Sequence, residues 1–445
     1  MSRNAQDETV NEETALLGQR KQQRTPLAHG QIALVMLMQI CEPLASQSIY
    51  PYINQLVSEL DITGGDEKKV GYYAGLIRSV NALLRVIANF LGSGYQSMFN
   101  RAVEWEYSLG VMKSTMGDLT DQSNRAEGFA LMPVVWSIGA SCGPLLGGTF
   151  ARPQDRFPDV FKGRFWRDFP YFMPCLVVAS FILTVAIVVI IFFKESAPIK
   201  KHSRNPSTDS DMTVVASDTT DNPKNDGPLP LRDLLVWPVV ISISNYVSLA
   251  FLNIAFNALL PLFLAMPISI GGLGLSPPTI GYIMGGYGGG SGIFQFFYFA
   301  KIMHWFGERR MFLNGISTFV VMFALMPICN VIARANGGVD GWCWGIIGLI
   351  IVLAVAMDMA YGSVFMYVTA SAPNKSALGA TNGLSQTAVS IARAIGPAMA
   401  TSLFSLSVQE NILGGYGVYA LFCILSVGGV VLGTMLPKEV WDEPE

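Results

Sequence analysis

The sequence predicts an all-α integral membrane protein of two pseudo-repeated helical bundles with about 10 transmembrane helices. Three observations carry that prediction. Of 445 residues, 51% are hydrophobic and only 14% charged. An ordinary soluble domain carries about 25% charged residues, so this chain lacks the polar surface to cover itself in water. Several apolar runs exceed the roughly 18 residues that cross a bilayer. Finally, a proline-bent stretch of small residues occurs twice: Trp136–Ala151 reads WSIGASCGPLLGGTFA, and Ser390–Ser405 reads SIARAIGPAMATSLFS.

Aligning Gly143-Pro144 with Gly396-Pro397 sets Gly139 against Ala392, Gly147 against Ala400 and Gly148 against Thr401. Small residues three or four apart share a helix face that another backbone can approach closely. Each proline removes an N–H and bends its helix. These helices are read as packing and gating elements, and their recurrence points to a two-fold-repeated membrane protein.

Composition also narrows the function. A net charge of −3 gives no reason to invoke nucleic acid. The six cysteines are scattered through apolar runs without CxxC pairing and read as small core hydrophobes. With no P-loop, no HExxH and no metal-spaced His/Cys set, no enzyme activity, cofactor or metal is expected.

Residues 1–27 are polar throughout and read as a disordered cytosolic tail without a cleavable signal. Within it Glu12, Leu16 and Leu17 form an acidic dileucine pattern, an address for cytosolic adaptor proteins. Arg20, Lys21 and Arg24 favour a cytosolic N-terminus. The first span, roughly 28–57, contains Glu42-Pro43. A carboxylate there should face the bundle interior or an aqueous cavity, as a titrating or substrate-facing group or as a structural hydrogen-bond partner.

Residues 70–92 begin apolar but carry Arg78 and Arg85 on one helix face. They read either as a span with those arginines turned inward or as a surface-lying amphipathic helix. Residues 93–125 hold seven charged side chains and cannot cross a membrane. Spans are expected near 126–150 and 171–194, closing an N-terminal bundle over 28–194. A polar, disordered cytosolic linker follows at 195–231, with Lys194, Lys200, Lys201 and Arg204 around its start.

Residues 232–437 then read as a six-helix C-terminal bundle, with spans near 235–264, 278–300, 311–334, 342–371, 378–405 and 414–436 and a short tail at 438–445. Ten spans place both termini in the cytosol; the five basic residues of Arg152–Arg167 run against that assignment. The halves differ in length as well. About 115 residues separate the start of the first span from Gly143, and about 161 separate residue 235 from Gly396. The shortfall of about 46 matches one helical hairpin, two spans of ~20 residues and a turn.

These residues resemble a known family. The two-half layout, the basic central linker and the pattern of Gly139, Gly143, Pro144, Gly147 and Gly148 are similar to the major facilitator superfamily. There this pattern typifies the fifth span of antiporters. CEPLASQSIYPYINQL (41–56), GVMKSTMGDLTD (110–121) and NGLSQTAVSIARAIGPAMATSLFS (382–405) resemble fungal members of its zinc-induced facilitator-like group, which is related to drug:proton antiporters. One departure stands out. The family's G-x-x-x-D-R-x-G-R motif between the second and third spans has no match in residues 78–109, as if one N-terminal hairpin were absent.

The resemblance implies a secondary active transporter of a small molecule or ion, coupled to protons and working by alternating access in a vacuolar or plasma membrane. The within-span acids Glu42 and Asp358 are its coupling candidates. Arg393 is a possible partner of Asp358, by coupling or as a structural ion pair. Asn253 and Asn257, with Asn245 and Gln295, either line the cavity or bond across helices. The alternative is a truncated transporter-like protein without transport activity: an interaction partner, a splice form or a misassembled gene.

Overall fold

The computed structural model describes residues 29–60, 66–77, 125–192, 234–373, 377–438 and 441, and among them there is helix and no strand. In the first half, α1 (His29–Ser48) and α2 (Ile53–Glu59) meet at 43°. The break falls at Tyr50-Pro51, where proline disfavours helical geometry in the residue before it. Residues 70–77 are helical. Then come α3 (Arg125–Phe150), the short α4 (Pro153–Arg156) and α5 (Arg164–Asp168), and α6 (Phe172–Phe192).

The second half comprises α7 (Trp237–Ala265), α8 (Pro277–Phe306), α9 (Glu308–Ala335), α10 (Gly341–Ala370), α11 (Leu378–Gln409) and α12 (Gly417–Thr434). Among the described residues six helices are long and apolar enough to cross a membrane, and the bent α1–α2 pair makes a seventh, broken span. Exposed Trp237, Trp305 and Trp342 stand at helix ends, the place of an interfacial aromatic belt. The tail with Glu12, Leu16 and Leu17, the arginines at 78 and 85, and the linker 195–231 lie outside the described residues.

Connectivity defines two ends of the molecule. Helix α6 finishes and α7 starts at the linker end; the turns at 151–171, 266–276 and 410–416 lie at the opposite, distal end. The second half is knit by aromatic packing. Phe323 stacks on Phe319 and Phe422 at centroid distances of 6.1 and 5.2 Å, joining α9 to α12, and Phe251 of α7 stacks on Phe422 at 6.2 Å. Cys41, Cys329 and Cys343 are buried like other small apolar residues, whereas Cys142 and Cys175 are exposed, contrary to a uniform core role. Their helices turn those positions outward.

The proline helices α3 and α11 occupy matching places. Each packs its glycines on the first helix of its own half. A Cβ added to Gly143 would lie 2.8 Å from the Leu44 carbonyl and 3.1 Å from Gln47 Cβ on α1, while Gly396 meets Phe251 and Ile254 on α7. Each also crosses to the other half near the distal end. A Cβ on Gly281 of α8 would lie 2.5 Å from the Pro144 carbonyl, and one on Gly75 would lie 3.0 Å from the Pro397 carbonyl. Gly71, four residues before Gly75, is packed against Thr401 and Ser405.

These contacts set the register between the halves. Leu44 and Gln47 correspond to Phe251 and Ile254 at a separation of 207, and Gly75 corresponds to Gly281 at 206. Pro144 and Pro397, however, stand 253 apart. The first half is therefore shorter by 47 residues between its Gly75 and Pro144 contacts, which is the length of one helical hairpin.

Three of the five basic side chains of the distal loop form ion pairs. Arg152 pairs with Glu59 at 3.1 Å and with Asp155 at 2.8 Å, Lys162 with Asp159 at 3.6 Å, and Arg164 with Asp168 at 3.6 Å. Arg156 donates a 2.6 Å hydrogen bond to the Tyr282 hydroxyl on α8, linking this loop to the other half.

Candidate functional site

Helix α8 carries two stripes, and its sequence explains both. Gly281, Gly285, Gly288 and Gly292 recur at helical spacing and face α3, where a Cβ on Gly288 would lie 2.8 Å from Ala140 backbone atoms. Ser141 closes the same seam with a 2.7 Å hydrogen bond to the Gly285 carbonyl. Without side chains on that stripe the two backbones come into direct contact, as small-residue helix interfaces in membranes do. The second stripe, Tyr287, Ser291 and Gln295, recurs every four residues and faces α10 and its acid.

Asp358 lies near the middle of α10. Its carboxylate accepts hydrogen bonds from Tyr287 (3.1 Å to Oδ1, 3.0 Å to Oδ2) and from Ser291 (2.5 Å to Oδ2). Gln295 in turn donates to Ser291 Oγ at 3.0 Å. No ion pair joins Asp358 to Arg393, which corrects that expected pairing. The Tyr361 phenol, one turn beyond Asp358, is instead the neighbour of the exposed Arg393 guanidinium. The reason is tertiary: α8 rather than α11 presents its polar face to Asp358.

Asn253 and Asn257, one turn apart on α7, lie half-buried and bonded in series. Asn257 donates to Asn253 Oδ1 at 3.1 Å, and Asn253 donates to the Met357 sulfur at 3.5 Å, next to Asp358 in sequence. Asn245 takes a structural role. It is fully buried, and its amide donates to the Ile241 carbonyl at 2.8 Å and the Leu432 carbonyl at 3.4 Å, tying α7 to α12. Glu42 stands half-buried on α1 next to Pro43, which packs against Gly139; among the described residues the hydrogen bonds to Asp358 come from α8.

Toward the linker end an aromatic wall joins α7 to α10. Tyr246 lies 6.4 Å from Tyr361 and 5.2 Å from the exposed Phe365, and Gln386 of α11 donates to the Tyr246 hydroxyl at 3.4 Å. Sequence reasoning named Gln295 but missed Tyr287, Ser291, Tyr246, Tyr361 and Gln386. For the α8 pair a signal existed, since Tyr287 and Ser291 precede Gln295 at four-residue intervals inside a glycine-rich helix. Tyrosines on apolar helices carry no comparable mark. Among the described residues no group of three His, Cys, Asp or Glu side chains could hold a metal ion.

This is an arrangement for binding and movement: a carboxylate held by neutral hydroxyls in a helical span, amides and aromatic rings around it, and glycine seams between two bundles. Known proteins match it over nearly its whole length. The chain is 26% identical to the major facilitator-type transporter psiT2 of Psilocybe cyanescens, covering 92% of this chain and 90% of that one. That alignment runs over 478 positions, more than the chain's 445 residues, so gaps fall within this chain. It is 24% identical to the protein ZINC INDUCED FACILITATOR-LIKE 1 of Arabidopsis thaliana, covering 93% of each. The fold matches a crystal structure of a bacterial homolog of the human lysosomal transporter Spinster, in an inward-facing and unoccupied conformation. The TM-score there is 0.52 at 15% identity, with 91% of this chain and 94% of that one covered. The Major Facilitator Superfamily model itself matches residues 108–397, well over half of the sequence, and the chain belongs to that superfamily of membrane transporters rather than to any class of enzyme.

Proposed function

We propose that the protein moves a small solute across its membrane by alternating access, exchanged against protons, with Asp358 as the coupling carboxylate. One observation carries the reading: among the described residues Asp358 is held by the hydroxyls of Tyr287 and Ser291, on the helix whose neighbouring stripe contacts the other bundle. An acid within a span is costly to maintain and marks an ion pathway or substrate site. Ionised, it accepts from both hydroxyls. Protonated, it must itself donate, and one of those bonds has to reorganise. That reorganisation acts on α8, and α8 is half of the seam with α3.

The contacts between halves at Gly75, Gly281 and Arg156 all lie toward the distal end, which supports an arrangement closed there. Asn253, Asn257, Tyr361 and Arg393 then face the solute path, with Glu42 as the second titratable candidate. Both termini are assigned to the cytosol, which would make that closed state inward-facing and would present Glu12, Leu16 and Leu17 to adaptor proteins in a vacuolar or plasma membrane. Coverage of whole transporters supports transport over an inactive remnant.

The test is uptake into proteoliposomes, with a trapped pH dye reporting proton movement against a panel of organic cations, anions and neutral solutes. Asp358→Asn should reduce gradient-driven accumulation at least tenfold while leaving downhill exchange. Intact accumulation in that variant would sink the coupling role.

A further inference from the structure

Arg393 stands midway along α11, at a depth where an uncompensated guanidinium is costly and marks a solute or ion path. Among the described residues no ion pair reaches it. Its neighbour, the Tyr361 hydroxyl, is neutral and leaves most of the five N–H donors unused. The side chain is nonetheless exposed.

That exposure is not toward lipid. With about 3.6 residues per turn, Arg393 shares a face of α11 with Gln386, Val389 and Ala400, the last two fully buried. Ile391 and Ile395, each more than half exposed, lie nearly opposite. From the Arg393 face Gln386 donates to Tyr246 of α7, which shares its own helix face with Asn253 and Asn257. Arg393 therefore opens onto a polar path between α7, α10 and α11. An aromatic surface adjoins it. Phe365 is 43% exposed and lies 6.1 Å from Tyr361 and 5.2 Å from Tyr246.

The charge of this path fixes the sign of its occupant. Asp358, the acid of the same region, is held on the α8 side by Tyr287 and Ser291 and leaves the guanidinium unbalanced. One guanidinium balances one negative charge, and its planar fork matches a carboxylate with two parallel hydrogen bonds.

We propose that the solute is a monovalent organic carboxylate with a flat apolar body. Arg393 holds the carboxylate, and Tyr361 and Phe365 flank the body. This rests on the transport reading above and names its substrate class. Occupied, the path contains no unpaired cation, which lowers the cost of closing the bundles around it.

Naphthoate, naphthamide and naphthylmethylammonium are close in shape and differ in charge. Equilibrium dialysis against the full-length protein in nanodiscs at neutral pH, with empty nanodiscs subtracted, compares them. Naphthoate should bind at least tenfold more tightly than either of the others. Arg393→Gln should remove that preference, whereas Arg393→Lys, which keeps the charge without the fork, should retain part of it. Phe365→Ala should weaken naphthoate at least threefold and preserve the order of the three probes. The wild-type order needs no variant, so the test survives a failure of any variant to fold. It uses no gradient either, so its result is separate from coupling through Asp358. No naphthoate binding, equal binding of all three, tighter binding of the amide or ammonium, or a folded Arg393→Gln that keeps the preference would overturn the proposal.

Discussion

The same proline-bent helix is set in two different surroundings, α3 in the first half and α11 in the second. In the second half it belongs to six described helices that enclose one continuous core of buried apolar residues. In the first half Ile53, Val57, Val70 and Ala74 join that same core, and the other described clusters are small, Cys41 with Val185 and Val189, and Tyr52 with Ala151 and Tyr171. The apolar window of α7 is 67% buried, that of α6 only 17%. Yet the contacts α3 and α11 make across the seam correspond position for position. Among the described residues, the contacts across the seam thus correspond even where the packing around the two helices differs. Small-residue seams depend on a single helix pair, whereas a bundle core needs all its members at once.

Four measurements would break or sharpen this comparison. The largest effect is expected at the seam. Gly281→Leu and Gly75→Leu, at corresponding positions, should each abolish transport to background by forcing the distal contact apart. Cysteine-pair distances across the halves should lengthen there in both variants. If only one variant lost transport, the correspondence of the two contacts would fail.

Core truncation comes next. Phe323→Ala removes a ring stacked on two others and should cost about 3–5 kcal/mol, read from thermal unfolding of the purified protein. Phe181→Ala, in the half-buried packing of α6 on α1, should cost under half as much. Equal costs would show that the first half is as tightly packed as the second.

Smaller still is Ser141→Ala, which removes the 2.7 Å bond from α3 to the Gly285 carbonyl. It should slow transport two- to threefold and shift its pH dependence, because protonation of Asp358 acts on the same helix. An unchanged pH profile would contradict the coupling of Asp358 to the seam.

The smallest effect tests a cap in the second half. Asp340 accepts from the Cys343 backbone N–H at 3.1 Å, and this bond holds its carboxyl below the usual range. A depressed folded pKa contributes stability above the unfolded value, near 3.9, that is lost as pH falls through the folded value. The melting-temperature gap between wild type and Asp340→Ala should therefore be full at pH 7 and shrink below pH 4. A gap independent of pH would assign the loss to packing.

Much of the architecture was legible in the residues because each helix must satisfy its own backbone in lipid and therefore announces itself as a long apolar run. The expected spans of the second half fall within a few residues of α7 to α12. Helix α2 was not separated from α1, since one proline at a span end carries no information about angle. The site was less legible. Asp358 stood out as a charge in a span, but its partners lie 71 and 67 positions away, and only folding brings α8 rather than α11 against it.

The sequence by itself determined the helices, the doubled Gly-Pro element and a shortfall of about 46 residues in the first half, because these follow from composition, periodicity and counting. The tertiary structure alone decided which backbone each glycine meets, which face of α8 holds Asp358, and that Arg393 turns to Tyr361 instead. Those outcomes depend on how helices rotate about their axes as they pack. Rotation is set by neighbours that are distant in the chain, and no local pattern records it.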